Sequence, residues 1–319
     1  MNQKTRSLLK IILPLLLGVL LVWYSLYQIS LTELLLYFKK ADYFWVVLGM
    51  FFGLLSHLSR AYRWRFQLEP MGYHIKFGNS IMAVFATYLI NYTIPRAGEV
   101  ARASILTNYE AVPFEKGIGT IVAERIADVI VMLGIIMITL FLEFEFIYAF
   151  LIDKFDPLKI ILGFITLLLL VLIFLRYIKR SNSKVALKIK TFVNGLIEGA
   201  LSIFKMKKKW AFIFHTLFIW LMYVLMFYVT TFSLEQTSNI PFAAVLIAFI
   251  AGSFSIAATN GGIGSYPEAI VLAFLLFNLP EDPSRALGWI MWTSQTLLII
   301  IFGGLSLIYL PIFNRKKSL

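Results

Sequence analysis

NYTIPRAGEVARASIL, residues 91–106, and GIGTIVAERIADVIVMLGIIM, residues 117–137, decide the fold. In the first stretch Pro95, Arg96, Gly98, Glu99 and Arg102 interrupt an apolar segment. In the second, Glu124, Arg125 and Asp128 lie near the start of the next apolar run. An ionised side chain at the centre of a membrane helix costs about 2.5–3.5 kcal/mol on insertion scales. Charges kept this close to apolar spans are expected to serve a purpose.

The surrounding chain is built for a membrane. Hydrophobic residues make up 60% of the 319 positions and charged residues 14%, against about 25% charged in soluble domains. Apolar runs long enough to span recur from end to end, and they are continuous rather than alternating, which excludes a β-barrel reading. The expected fold is therefore an all-α, polytopic integral membrane helical bundle. There is no cysteine, which excludes disulfides, thiol nucleophiles and Cys-ligated metals. The formal charge of +12 is assigned to cytoplasmic loops and anionic lipid head groups, not to nucleic acid. The N-terminal basic residues and the apolar run after them resemble a signal peptide, but the run is long and lacks a small-residue cleavage site, so it reads as an uncleaved first helix.

Full spans are expected at about 10–28, 43–59, 118–142, 158–177, 210–232, 242–258, 266–280 and 287–311, eight in all within a single domain over 1–319. Basic loops at the N-terminus, at Arg60, Arg63 and Arg65, at 176–209 and at the C-terminus should be cytoplasmic, and the acidic loop at Glu143 to Asp156 should face outward. This parity fails if 78–95 and 118–142 are successive crossings. It holds if 78–117 enters and leaves on the same side. The arm Gly78 to Ile90 has 13 residues, roughly 20 Å of helix, short of the ~30 Å hydrocarbon core. A re-entrant hairpin satisfies both tests, with Pro95 and Gly98 as hinge residues. The region 242–280 is broken by TNGGIGSYPE and reads either as two spans or as a second re-entrant pair, with Pro267 as a hinge. Gly- or Pro-broken short segments in both halves of a chain point to a transporter's central site. The connection 179–209 reads as a basic cytoplasmic segment with one surface helix.

Candidate site residues follow from these breaks. Arg96, Glu99 and Arg102 recur at three-residue steps and form one helical stripe with Asn91 at its head. Glu124 and Asp128 are four apart, stack on one face, and need a cation or a proton between them, with Arg125 beside them. One reading is a cavity whose guanidinium groups grip an anionic head group. The other is a self-satisfied salt-bridge network that pins the hairpin. Asn260, Gly261, Gly262 and Gly264 offer close backbone approach, and Glu268 is either a site carboxylate or a helix-dipole cap. Arg60, Arg63 and Arg65 beside Trp64 read as an interfacial anchor or as the mouth where lipid phosphates gather. His57, His74 and His215 show no metal spacing. No metal or cofactor is expected, and there is no P-loop for ATP hydrolysis.

The pattern Asn91-x3-Pro95-x2-Gly98-Glu99-x2-Arg102, then Glu124-Arg125-x2-Asp128, then Gly261-Gly262-x-Gly264-x3-Glu268, resembles the flippase-like membrane domain of lysylphosphatidylglycerol synthases. The resemblance covers nearly the whole chain. It implies translocation of a lipid between leaflets of the cytoplasmic membrane, with membrane phospholipid or a lipid-linked molecule as substrate. The aminoacyl-transferring soluble domain of those synthases is not in this sequence, so that chemistry is not implied. Where family members often carry a proline before the glycine pair, this chain has Thr259-Asn260. Two other functions are compatible with the residues: a subunit in lipid-linked sugar or lipid-modification chemistry, and a small-solute or ion transporter. The termini are expected to be cytoplasmic, and a homodimer is compatible with the sequence.

Overall fold

A computed structural model describes residues 16, 18–94, 96–145, 148, 149, 152, 156–181, 183, 186, 187, 190 and 206–315. The expected hinge Pro95, and most of the 179–209 connection, lie outside the described residues. The chain divides into two compact units, Met1–Ile121 with Lys207–Leu319, and Val122–Met206.

The larger unit opens with α1 (Gly18–Gln28), which turns by 83° into α2 (Leu31–Lys40). The sequence reading treated residues 29–42 as a connection. Ser30 makes the turn into a helix start by accepting a hydrogen bond from the Glu33 amide at 3.1 Å, and Lys39 and Lys40 suit the negative end of the helix dipole. Asp42 then caps α3 (Tyr43–Leu68) through the Phe44 amide. This helix runs well beyond the expected end at residue 59. No breaker occurs until Pro70, so Arg60, Arg63 and Arg65 are helical.

Two helical hairpins follow the same plan. The first joins α4 (Phe77–Thr93) to α5 (Ala97–Glu110), which pack on each other. Arg96 adopts φ 60° at the turn. The Asn91 side chain accepts a hydrogen bond from the Gly98 amide at 2.8 Å and donates to Glu99 at 3.4 Å. Gly98 sits so close to the Thr87 carbonyl that a Cβ would collide with it. The second hairpin, preceded by α8 (Lys209–Thr231), joins α9 (Phe242–Ala258) to α10 (Ser265–Leu275). The arms, of 17, 14, 17 and 11 residues, are about 25, 21, 25 and 17 Å long. None reaches across a ~30 Å core.

The expected eight full spans are not confirmed: of the two alternatives for 242–280, the short arms of α9 and α10 favour the broken pair over two full spans. Among the described residues four helices are long and apolar enough to cross, or five if the bent α1–α2 pair counts as one span. They are α3, α6 (Phe114–Leu142), α8 and α11 (Glu281–Phe313).

Helix α11 acts as a ruler for the two hairpins. Reading along it, Arg285 bonds Glu268, Gly288 abuts Pro267, and the Trp292 indole donates to the Gly261 carbonyl at 2.8 Å. Thr296 then lies 3.2 Å from the Tyr92 hydroxyl, Gly303 abuts Leu89 and Phe85, and Asn314 bonds Asn79. The second hairpin thus occupies one end of α11 and the first hairpin the other. Their tips meet between Trp292 and Thr296.

In the smaller unit, the later part of α6 is followed by α7 (Pro157–Arg180), capped by Asp156 through the Leu158 amide at 2.9 Å. Helix α7 covers the expected span 158–177.

Candidate functional site

The junction of the hairpin tips is built on backbone conformations that glycine adopts at least cost. Gly261, Gly262 and Gly264 have φ of 65°, 78° and 69°. At Gly261 the restriction is double, since a Cβ would also collide with the Tyr92 ring. Thr259 ties the turn by accepting from the Gly262 amide at 3.1 Å. Ser255, Ser265 and Thr259 form a hydroxyl cluster with contacts of 2.6 and 3.0 Å. Asn260 is buried, and its side-chain amide nitrogen makes no hydrogen bond among the described residues. The tip of the second hairpin therefore offers hydroxyl and amide groups, while the glycines are already filled by Tyr92, Tyr266 and the α1 backbone at Leu21 and Val22.

A buried polar track leads to this junction along α3. His57, Arg60, Trp64 and Gln67 recur at helical spacing on one face, with Ser56, Ser59 and Arg63 beside them, and all are buried. The track spans ten residues from Gln67 to His57, about 15 Å. At its far end the His57 ring is 4.7 Å from Tyr88, one turn before Tyr92 on α4. Arg63 donates to the Thr216 hydroxyl at 2.7 Å and lies 5.1 Å from the Phe212 ring centre. Arg102, from α5, stacks 3.8 Å over Trp64, whose indole donates to Thr120 at 2.8 Å. Such a cation–aromatic contact is strongest away from water.

This burial corrects the reading of Arg60 and Arg63 as an interfacial anchor. At 2% and 0% exposure they belong to the interior. Packing of α3 against α8 and α4 covers them, which no local pattern reveals. Arg65 alone of the three is exposed, 5.4 Å from the Tyr62 ring centre.

The remaining expected residues separate in the same way. Arg102 is 1% exposed and Arg96 is exposed at the hairpin turn, so the two do not share one buried stripe. Asn91, Gly98 and Glu99 form the turn itself. In the smaller unit Glu124 and Asp128 are both buried on α6, at 0% and 7% exposure, and Arg125 lies 3.6 Å from Asp128. His215 lies 2.8 Å from the Ser59 hydroxyl.

Glu268 is neither a lone cap nor an open ligand. Arg285 grips both its oxygens, at 2.9 and 3.3 Å, and the Ser25 hydroxyl of α1 donates to it at 2.5 Å. The Trp289 indole donates in turn to Ser25 at 3.0 Å. Sequence reasoning missed Arg285. The available signal was a single arginine in the first turns of an apolar helix, four residues after Glu281.

Residues 11–304 match the family described as the lysylphosphatidylglycerol synthase TM region. A UPF0104 membrane protein of Methanocaldococcus jannaschii is 24% identical over 305 residues, covering 86% of this chain and 87% of the relative. With the family match extending over both hairpins, the polar track and most of α11, the chain is a membrane protein that belongs to the lysylphosphatidylglycerol synthase transmembrane-region family.

Proposed function

We propose that this protein moves a lipid between the leaflets of the cell membrane, without an ATPase or other catalytic activity of its own. The observation that carries the reading is the meeting of two broken hairpins at Tyr92 and Gly261, beside a buried track of arginines. Short, broken helices that meet at mid-depth are the usual setting of a transporter's central site. Backbone breaks at that depth are tolerated where protein or a wet cavity surrounds them. Arg60, Arg63 and Arg102 supply positive charge along the first hairpin, suited to a phosphate-bearing head group. The hydroxyl cluster and Asn260 supply neutral contacts at the second. The lipid's tails stay in the bilayer while the head group follows the track.

On the charge asymmetry of the loops we assign both termini to the cytoplasm. The first hairpin then enters from the cytoplasmic side and the second from outside. The family's name points to phosphatidylglycerol and its aminoacylated forms as the first lipids to assay.

The test is reconstitution into liposomes carrying fluorescent phosphatidylglycerol, its lysyl ester or a polyprenyl phosphate. Leaflet exchange is followed for the parent protein and for Arg102→Ala. Faster exchange of at least one anionic or aminoacylated lipid, lost in the variant, is expected. Exchange no faster than in protein-free liposomes for every lipid would overturn the reading.

A further inference from the structure

A cavity of about 80 Å³ lies where the end of α3, the loop to α4 and the start of α8 come together. Its floor, formed by Phe66 and Ile75, is apolar and buried. Its rim carries Arg65, His74 and Lys208 against one carboxylate, Glu69. The space is that of roughly two or three waters, enough for one phosphate group.

The charges at the rim are unevenly committed. Lys208 donates to both Glu69 oxygens, at 2.9 and 2.8 Å. Glu69 is held in place by the turn after α3, where its carbonyl accepts from the Gly72 amide at 3.0 Å and Gly72 has φ 86°. Arg65 lies 5.4 Å from the Tyr62 ring centre, and its side chain makes no ion pair or hydrogen bond among the described residues. With Arg65 and Lys208 against Glu69, and His74 counted as neutral, the rim carries one net positive charge. A guanidinium fork at a cavity, with no carboxylate of its own, suits a phosphate.

The place of the cavity in the fold suits a lipid rather than a free ion. It lies at the Gln67 end of the polar track, with Phe66 and Glu69 within two residues of Gln67. Trp210 follows two residues after Lys208 and is 75% exposed, as an aromatic side chain at head-group level is. Basic pockets at that level bind phosphate-bearing head groups. We infer that this cavity is a docking site for the phosphate of an anionic lipid, held by Arg65 and Lys208 with His74 beside them. Glu69 is the built-in competitor, and its carboxylate occupies Lys208 until a phosphate displaces it. The site goes beyond the transport reading, because a lipid docks there whether or not it is then carried across.

Native mass spectrometry of the detergent-solubilised protein counts bound lipids one at a time. The readout is the dissociation constant of the first phosphatidic acid, with phosphatidylcholine as the zwitterionic comparison. Phosphatidic acid is expected to bind the parent more tightly than phosphatidylcholine. Arg65→Gln and Lys208→Gln are each expected to weaken it about fivefold, the upper range for a part-exposed charge pair. Arg65→Lys, which keeps the charge but not the fork, should fall between parent and Arg65→Gln. Glu69→Gln, which removes the competitor, should tighten binding. Lys39→Gln removes the same charge from the exposed end of α2 and should leave the constant unchanged. Losses at Arg65 and Lys208 no larger than at Lys39, weaker binding in Glu69→Gln, or equal affinity for the two lipids would overturn the site. Displacement of the lipid by an equal concentration of inorganic phosphate would assign the cavity to free phosphate and overturn the lipid reading of it. No leaflet exchange is measured, so this result is separate from that of the transport assay.

Discussion

The Tyr92 ring fills the space in which a side chain on Gly261 would lie. These residues come from the tips of two hairpins that pack along one helix, so their contact joins the two hairpins. Gly261→Ala adds a methyl group to that contact and imposes φ 65° on a residue with a Cβ. The backbone term alone costs about 1–3 kcal/mol. A lowered unfolding temperature in detergent is expected. Adding Tyr92→Ala should recover only part of it, since the second change relieves the collision but not the backbone.

Asn91 joins the arms of the first hairpin by accepting from the buried Gly98 amide. Asn91→Ala strands that donor, at about 1–3 kcal/mol. Asn91→Asp keeps the acceptor but faces Glu99 with a second carboxylate, and should rank between parent and alanine variant. Thermal unfolding of the three proteins at neutral pH checks the order.

Arg102 and Trp64 form the closest cation–aromatic contact in the track. Trp64→Leu also removes the indole donor to Thr120, whereas Trp64→Phe keeps a ring. Lipid exchange should fall most in the leucine variant and remain measurable in the phenylalanine variant. Equal losses would remove the aromatic face from the account.

Glu124 and Arg125 are neighbours in sequence with different surroundings. Glu124 is fully buried, while the Arg125 side chain is 42% exposed and its contact to Asp128 is one turn along its own helix. Arg125→Ala should lower stability, because it takes the cation from beside the buried Asp128 carboxylate. Glu124→Gln should lower both stability and lipid exchange. Unfolding curves and exchange rates on the same preparations separate the two.

Much of this arrangement can be read from local sequence. The first hairpin is legible because Gly78 to Ile90 is too short to span and Pro95 and Gly98 follow it. The glycine triplet at 261–264 marks the second break in the same way, and its nature as a hairpin needed only the lengths of α9 and α10. Long-range partners leave no such trace. Arg60 and Arg63 follow an apolar run and so resemble an interfacial anchor, and only the packing of α8 and α4 shows them to be interior. Arg285 pairs with a carboxylate 17 residues earlier, a separation that no helical periodicity predicts. Helix α2 was missed because its ten residues are too short to register as a span.

The central claim is that the two hairpins enter from opposite sides and meet at their tips. Single-cysteine labelling across the membrane tests it most directly. His74→Cys and Glu115→Cys stand at the two bases of the first hairpin, and Gln236→Cys and Pro280→Cys at the two bases of the second. In sealed vesicles, an impermeant maleimide should reach the first two positions from one side and the last two from the other. Labelling of all four positions from the same side would contradict the account.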